Sequence, residues 1–186
     1  MIIALSGTPG TGKTVISKVL AKKLNANLIS IGELVKKKKI PYKIDAKRRT
    51  KIIDVGNLQK AVNENLTKEG INIVEGHLSH LIRANRVIIL RLNPIKLKNR
   101  LLNRGWSRSK VEESVQAEIL DEITIEALQR QSKNNVFEID VTGLEKGKIT
   151  GILTKLCRPK ILNRYLKIYQ AGKVDWSERY KKELIK

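Results

Sequence analysis

A glycine-rich loop near the start of the chain holds the residues whose chemistry is easiest to assign. Its four signature residues stand at the spacing G-x-x-x-x-G-K-[ST]: Gly7, Gly12, Lys13 and Thr14. Glycines at such positions let consecutive backbone N–H groups point inward, and the following helix adds the positive end of its dipole. In a P-loop of this kind the lysine reaches the β- and γ-phosphates of a nucleotide, and the threonine hydroxyl binds Mg²⁺.

The elements on either side must position this loop. Residues 1–5 form an apolar, β-rich run, and apolar side chains recur at helical spacing over residues 15–24. The alternative is a glycine-rich turn that matches the motif by chance, but a strand before the loop and a helix after it are the context that a functional P-loop requires. We therefore predict ATP and Mg²⁺ as the cofactors.

Farther along the chain, strand-like and helical patterns alternate. Four more strands are predicted at about residues 26–31, 71–76, 86–92 and 136–139. Helices are predicted at about residues 32–38, 45–65, 94–103, 109–127, from 145 onward, 159–170 and 175–185. Strands that alternate with helices form a parallel sheet with right-handed crossovers. The predicted fold class is an α/β domain with a five-stranded parallel sheet.

Three of these helices carry signals for their first turn. Asn93 stands before a proline, which is a favourable pair for a helix start. Ser109 with Glu112, and Thr142 with Glu145, have the spacing of a capping box. The helix after Ser109 has an i, i+4 stripe of apolar residues that predicts one continuous helix: Val111, Val115, Ile119, Ile123 and Ala127.

The chain is strongly basic. It has 38 Lys and Arg against 18 Asp and Glu in 186 residues, for a net charge of +20. Such a charge attracts nucleotides, RNA or an acidic protein surface, whereas the alternative is a Lys- and Ile-rich composition of the kind found in heat-adapted proteins. The basic residues cluster in residues 36–51 and after Cys157, and this clustering favours binding.

The composition also bounds the compartment. No apolar stretch approaches the roughly 18 residues that a membrane-spanning helix needs, and no signal peptide precedes the P-loop strand. Cys157 is the single cysteine, so an intramolecular disulfide is impossible. We predict one cytoplasmic domain with a full core.

The motifs that accompany a P-loop separate its classes. The N-K-x-D motif of signalling GTPases is absent, and no predicted strand ends in the hydrophobic-D-E of a helicase or transporter ATPase. A small-molecule kinase needs an acceptor-binding segment after the second strand and an arginine-bearing lid. Residues 36–51 and the arginines at 100, 104 and 108 stand at those places. Such a lid neutralises the charge on the migrating phosphoryl group and excludes water.

Several segments resemble one family. The P-loop, residues 73–80, 100–106 and 116–119, and Val174-Asp175-Trp176 are similar to the nuclear-type adenylate kinases, the sixth isoenzyme group, and to their archaeal counterparts. The resemblance covers nearly the whole chain. It implies a P-loop NTPase fold of the nucleoside monophosphate kinase type, and transfer of the ATP γ-phosphoryl group to AMP with intrinsic ATPase activity. It also implies a role in small ribosomal subunit maturation, in contact with a platform protein of the ribosomal-protein-eleven family and in proximity to rRNA.

The resemblance carries roles over by matching position. Residues 30–49 would be the acceptor-binding segment, residues 103–113 the lid, and residues 158–186 a basic helical extension. Arg104 would be the lid arginine on ATP, and Arg100 stands beside it as a further catalytic residue. The residues that would hold the ATP phosphates are Gly10, Gly12, Lys13, Thr14 and Val15.

Glu75 and His77 match the Asp-x-His pattern of the family. The acid would bind Mg²⁺ through water together with Thr14, and the histidine would orient the attacking water in hydrolysis. His80 is expected to be structural, because no cluster of further ligands stands near the two histidines to make a metal site. The chain departs from the family pattern at two positions. Glu75 is longer by one methylene than the Asp of eukaryotic members. Asn57 stands where those members have an arginine, and Arg48 and Arg49 are possible substitutes for that arginine.

Two functions remain open from the sequence. The first is a metabolic adenylate kinase that balances adenine nucleotides. The alternative is an ATP-hydrolysing assembly factor that binds a ribosomal protein and rRNA, with nucleotide kinase activity incidental. The basic tail and His77 discriminate between them, since a purely metabolic kinase needs neither. The two functions are not exclusive, and we favour an enzyme with both kinase and ATPase activity.

Overall fold

The computed structural model describes residues 1–37, 39–45, 50–158 and 163–180. Within them seven strands follow one another along the chain: β1 (Ile2–Ser6), β2 (Asn27–Ser30), β3 (Tyr42–Asp45), β4 (Thr50–Ile53), β5 (Asn72–Glu75), β6 (Arg86–Arg91) and β7 (Val136–Asp140). Five of these strands form a sheet of order β2-β5-β1-β6-β7 in which all neighbours are parallel. Strands β3 and β4 form a separate antiparallel hairpin. The predicted five-stranded parallel sheet is therefore confirmed.

Helices cover both faces of the sheet. In the same described ranges they are α1 (Lys13–Leu24), α2 (Ile31–Lys36), α3 (Val55–Asn63), α4 (Pro94–Leu102), α5 (Arg108–Ile119), α6 (Glu122–Arg130), α7 (Lys146–Leu156) and α8 (Asn163–Tyr169). Alternate residues of β1 point to opposite faces: Ile3 and Leu5 pack in one apolar cluster with α1, α4, α5 and α7, and Ala4 packs in the other with α2, α3 and α6. Because helices bury both faces of the sheet, its strands are nearly continuous apolar runs.

The predicted helix over residues 45–65 is wrong in its first part. Residues 50–53 are strand β4, and the helix begins only at Val55. Asp54 is the N-cap, and its side chain accepts a hydrogen bond from the Asn57 N–H at 2.9 Å. The β-branched residues before that cap favour an extended backbone, which the weak helical pattern of this stretch did not indicate.

Both predicted capping boxes are also wrong. Helix α5 begins at Arg108, so Ser109 lies inside the first turn. In the second box Glu145 itself is the N-cap of α7, and Thr142 instead uses its hydroxyl to accept a hydrogen bond from the Asn93 N–H. The Asn93 start is as predicted, because its side chain accepts from the N–H groups at 95 and 96.

The predicted continuous helix over residues 109–127 is two helices. Helix α5 ends at Ile119 and α6 begins at Glu122, with Asp121 between them in the left-handed region at φ 56°. All five residues of the apolar stripe are nevertheless buried. The break carries the stripe from one apolar cluster to the other: its first three residues pack with α1, α4 and α7, and Ile123 and Ala127 pack with α2 and α3.

The C-terminal part returns to the domain. Helix α8 falls inside the predicted helix over residues 159–170, whose first residues, 159–162, lie outside the described ranges. Of the helix predicted over residues 175–185, residues 177–180 form turns and 181–186 lie outside the described ranges. Trp176 and Tyr180 are buried in the cluster that also holds α7, and the Tyr180 hydroxyl accepts a hydrogen bond from the Asn93 side chain at 2.7 Å.

Candidate active site

The P-loop lies at the carboxyl edge of the central strand β1, where it enters α1. Gly7, Gly10 and Gly12 have φ values of 139°, 98° and 99°, which side chains rarely adopt. A Cβ atom on Gly7 would lie 2.4 Å from the Leu90 carbonyl oxygen, and one on Gly10 would lie 2.7 Å from a Leu97 methyl. Conformation favours glycine at both positions, and at Gly7 the fixed backbone carbonyl of Leu90 also leaves no space for a side chain.

Lys13 is buried and folded back onto the loop. Its Nζ donates hydrogen bonds to the Gly7 carbonyl at 2.6 Å and to the Thr8 carbonyl at 3.0 Å. Burial lowers the pKa of Lys13 to about 8, an effect that Glu75 and Glu118 oppose and the charge of Arg104 reinforces. Burial makes the charged form of Lys13 unfavourable in the protein alone. Anionic phosphates bound beside it would therefore stabilise that charged form strongly.

Glu75 joins three elements at the sheet edge. One carboxylate oxygen accepts from the Thr14 hydroxyl at 3.3 Å, and the other accepts from the Ser30 hydroxyl at 2.6 Å. The sequence-predicted pair Thr14 and Glu75 is therefore brought together. Hydroxyl and carboxylate oxygens are the donors that Mg²⁺ prefers, so this set fits the ion. Among the described residues, no group of His, Cys, Asp and Glu could hold a metal by itself.

His77 and His80 differ in their surroundings. His77 is exposed at the wall of a cavity, but neighbouring protein atoms still desolvate its ring and, with the charges of Lys13 and His80, lower the pKa of His77 to about 4. His80 is fully buried. Its Nε2 hydrogen-bonds to a Glu126 carboxylate oxygen at 2.7 Å, and its Nδ1 lies 3.0 Å from both the Ser6 hydroxyl and the His77 carbonyl oxygen. His80 thus holds the loop after β5 in place.

Two cavities flank the P-loop. One, of about 650 Å³, is lined by Thr11, Gly12, Val15, both Arg100 and Arg104, and the start of α7. Arg100 also donates to the Gly10 carbonyl oxygen at 3.3 Å. The other cavity, of about 810 Å³, lies between the P-loop, the loop after β5 and the helices α5 and α6. Its lining includes Thr8, His77 and Trp106.

The structure places the remaining predicted residues less centrally. Arg108 is exposed at the first position of α5. Arg48 and Arg49, the possible acceptor-binding arginines, lie outside the described residues. Ser30 and Glu33 from the predicted acceptor segment line a smaller cavity of about 180 Å³.

Sequence reasoning missed a buried ionic cluster beside the P-loop. Arg91 pairs with Glu118, Asp121 and Glu138, and Glu118 in turn accepts a hydrogen bond from the Thr8 hydroxyl. The available signal was Arg91 itself, a charged residue that directly follows the apolar run 87–90. In the described part of the chain, no helix is long and apolar enough to cross a bilayer.

Known proteins similar to the chain include several named as kinases. A model of the AAA domain family matches residues 3–121. Two proteins named "Putative adenylate kinase", from Methanocaldococcus jannaschii and Thermococcus kodakarensis, are each 40% identical to the chain, over 180 and 181 residues. Each alignment covers 97% of this chain and 95% of the relative.

Solved structures agree on the architecture. Shikimate kinase from Bacteroides thetaiotaomicron superposes with a TM-score of 0.53 at 19% identity, covering 84% of this chain and 97% of that protein. Thymidylate kinase from Candida albicans gives a TM-score of 0.52 at 14% identity, covering 82% and 88%. At these identities the likeness shows the fold alone, and that fold is the P-loop kinase fold.

Proposed function

We propose that this chain, which belongs to the family of these archaeal adenylate kinases, transfers the γ-phosphoryl group of ATP to AMP and yields two ADP. One observation carries the proposal: the P-loop lies between two cavities of nucleotide size, with arginines at the edge of one and His77 and Trp106 in the other. A phosphoryl donor and an acceptor can then meet at the loop.

The donor is assigned to the cavity of about 650 Å³. Its phosphates would be held by Gly10, Gly12, Lys13, Thr14 and Val15, and Arg104 would close on them from the lid, residues 103–113. Thr14 directly and Glu75 through water would hold Mg²⁺, which when bound neutralises charge on the β- and γ-phosphates. Lys13, Arg100 and Arg104 would stabilise the charge of the migrating group.

The acceptor AMP is assigned to the cavity of about 810 Å³, and residues 30–49 remain the proposed acceptor segment, of which Ser30 and Glu33 line the separate cavity of about 180 Å³. The Ser30 hydroxyl begins that segment and already contacts Glu75, so a nucleotide bound there would sit beside the metal ligands. Closure of the lid over both nucleotides would exclude water and so favour phosphoryl transfer to AMP over transfer to water.

Intrinsic ATP hydrolysis is the second activity that we propose, and His77 supports it. With its pKa lowered to about 4, the ring is neutral near pH 7 and can accept a hydrogen bond from a water molecule. That residue faces the cavity beside the P-loop, so it can orient such a water when no acceptor is present.

The alternative function is an ATP-hydrolysing assembly factor in small ribosomal subunit maturation, acting in the cytoplasm. Its partners would be a platform protein of the ribosomal-protein-eleven family and nearby rRNA. The observation that favours it is the net charge of +20, together with exposed basic residues of the C-terminal extension, 158–186: Arg158, Arg164, Lys167, Lys173 and Arg179.

One assay separates the two functions. ADP formation from Mg·ATP is measured with and without AMP for the wild type, for Lys13→Ala and for Lys18→Ala, which removes an exposed lysine from the same helix. We expect strong AMP dependence, loss of all turnover in Lys13→Ala, and wild-type turnover in Lys18→Ala. Turnover that ignores AMP would overturn the kinase proposal in favour of the assembly factor, and an active Lys13→Ala would overturn the P-loop assignment itself.

A further inference from the structure

Thr8 organises the P-loop from within. It is almost fully buried, at 1% exposure. Its carbonyl oxygen accepts three hydrogen bonds: from Lys13 Nζ at 3.0 Å, from the Thr11 N–H at 3.2 Å and from the Thr11 hydroxyl at 2.9 Å. The position of Thr8 therefore sets where the lysine ammonium and the next turn of the loop lie.

The side chain of Thr8 is held by a carboxylate from outside the loop. Its hydroxyl donates to Glu118 Oε2, and the other carboxylate oxygen of Glu118 accepts from Arg91 Nε at 2.8 Å and from the Leu92 N–H at 3.1 Å. Glu118 is only 2% exposed and lies in the last turn of α5, the helix whose first residues belong to the proposed lid. A single carboxylate thus connects the lid helix, strand β6 and the P-loop.

The cluster behind Glu118 is costly to bury. Arg91, Glu118 and Glu138 are each 2% exposed, and Asp121 also pairs with the arginine. Burial raises the pKa of Glu118, and the charge of Arg91 and the Thr8 hydroxyl oppose that rise. Buried ion clusters contribute little net stability compared with apolar packing, and their best-attested use is to fix one geometry. Through Glu118 this cluster contacts Thr8 of the P-loop.

We propose that Glu118 is a positioning residue for ATP binding: through Thr8 it fixes the loop carbonyls that hold Lys13, and it ties the lid helix to the P-loop. The proposal rests on the proposed function only in requiring that the P-loop binds ATP. Loss of the link would let the loop relax, so ATP would bind more weakly even though no group that touches ATP has been removed.

The test compares substitutions of two buried threonines, Thr8 and Thr124, whose hydroxyls each donate to a carboxylate paired with Arg91. Thr8→Val removes the hydroxyl at nearly constant volume, and Thr8→Ser retains it. Thr124→Val is the matched control, because the buried Thr124 hydroxyl also donates to a carboxylate paired with Arg91, namely Glu138 Oε1 at 2.7 Å, away from the P-loop. The dissociation constant for ATP is measured by isothermal titration calorimetry without AMP, and thermal unfolding is recorded for each variant.

We expect Thr8→Val to weaken ATP binding about tenfold, as suits one hydrogen bond to a charged group. Thr8→Ser should restore the affinity, and Thr124→Val should keep it while losing as much thermal stability as Thr8→Val. Glu118→Gln, which keeps the shape and removes the charge, provides a second reading in the same assay, with an affinity loss in the same direction.

Wild-type ATP affinity in Thr8→Val would overturn the proposal, as would an equal loss of affinity in Thr124→Val, because the cluster would then act through stability alone. These outcomes are independent of the proposed kinase activity. A wild-type protein that binds ATP but leaves AMP unphosphorylated would refute the kinase function and leave the positioning role to be decided by the calorimetry.

Discussion

Glu75 shows how one side chain can serve two parts of a site. Its carboxylate receives hydrogen bonds from hydroxyls that stand 61 and 45 residues away in the chain, those of Thr14 and Ser30. The first belongs to the P-loop, and the second opens the proposed acceptor segment. The extra methylene of a glutamate, compared with aspartate, lets the carboxylate reach both hydroxyls at once. A nucleotide on either side would therefore alter the hydrogen bonds of the same acid.

At the same scale, His77 should affect hydrolysis more than phosphoryl transfer. His77→Ala removes the neutral imidazole that we assign to the attacking water, whereas AMP brings its own nucleophile. We expect ATP hydrolysis without AMP to fall by about 100-fold or more, as for loss of a group that acts in proton transfer, and AMP phosphorylation to fall far less. Both rates are measured on one preparation. An equal loss of the two would show that His77 has no role specific to water.

The protonation state of His77 gives a second prediction. Because its pKa is lowered from 6.5 to about 4, the ring stays neutral as the pH falls through 6.5 and becomes charged only near pH 4. The rate of ATP hydrolysis should therefore show no loss centred at 6.5, and its acidic limb should lie near 4. The measurement is a pH profile of hydrolysis, with circular dichroism to confirm folding at each pH. A limb at 6.5 that is lost in His77→Ala would mean that the ring titrates as an ordinary histidine.

At the scale of elements, the turn that precedes a helix decides where the helix begins. The Asp54 cap ends β4 and starts α3 within two residues. Asp121 does the same between α5 and α6, where its left-handed backbone is accompanied by an ion pair to Arg91. In both places a polar side chain interrupts a pattern that apolar periodicity alone would continue.

The Asp54 cap can be tested by stability. Asp54→Ala removes the acceptor for the Asn57 N–H and should lower the free energy of unfolding by about 1 kcal/mol, or the midpoint temperature by about 2–4 °C for a chain of this size. Asp54→Asn retains a capping oxygen and serves as the control. Urea denaturation of the three proteins measures the difference. Equal stabilities for Asp54→Ala and wild type would show that the cap contributes nothing.

At the scale of the whole molecule, the C-terminal segment is part of the domain rather than an appendage in its described residues. Trp176 and Tyr180 are buried against the core, and the N–H groups of Gly172 and Lys173 donate to Glu138 Oε2 at 2.6 and 3.3 Å. Its basic side chains are at the same time exposed. The segment therefore combines a fixed backbone with a positive outer surface.

If that surface binds RNA, the affinity must depend on salt. The logarithm of the affinity for a duplex should fall linearly with the logarithm of salt concentration, by about 0.9 per phosphate neutralised. Replacing Arg164, Lys167 and Lys173 by glutamine should reduce that slope by up to about 3. Fluorescence anisotropy with a labelled RNA duplex over a salt series measures both slopes. A salt-independent affinity would leave the charge of +20 as a property of composition.

The sequence by itself determined the P-loop, the five strands of the main sheet and their parallel arrangement. These follow from local spacing and from apolar periodicity, which depend on neighbours in the chain. The resemblance to the adenylate kinases also implied that Thr14 and Glu75 serve one Mg²⁺ site, and the structure brings these two residues together.

Only the tertiary structure decided the rest. The link from Glu118 to Thr8 spans 110 residues, and the Asp121 break is accompanied by an ion pair with an arginine 30 residues earlier. The β3–β4 hairpin depends on pairing between two strands, so the pattern of either strand alone did not reveal it. Each of these features depends on contacts between residues that are distant in sequence. Local propensity depends only on neighbouring residues, so it cannot predict such contacts.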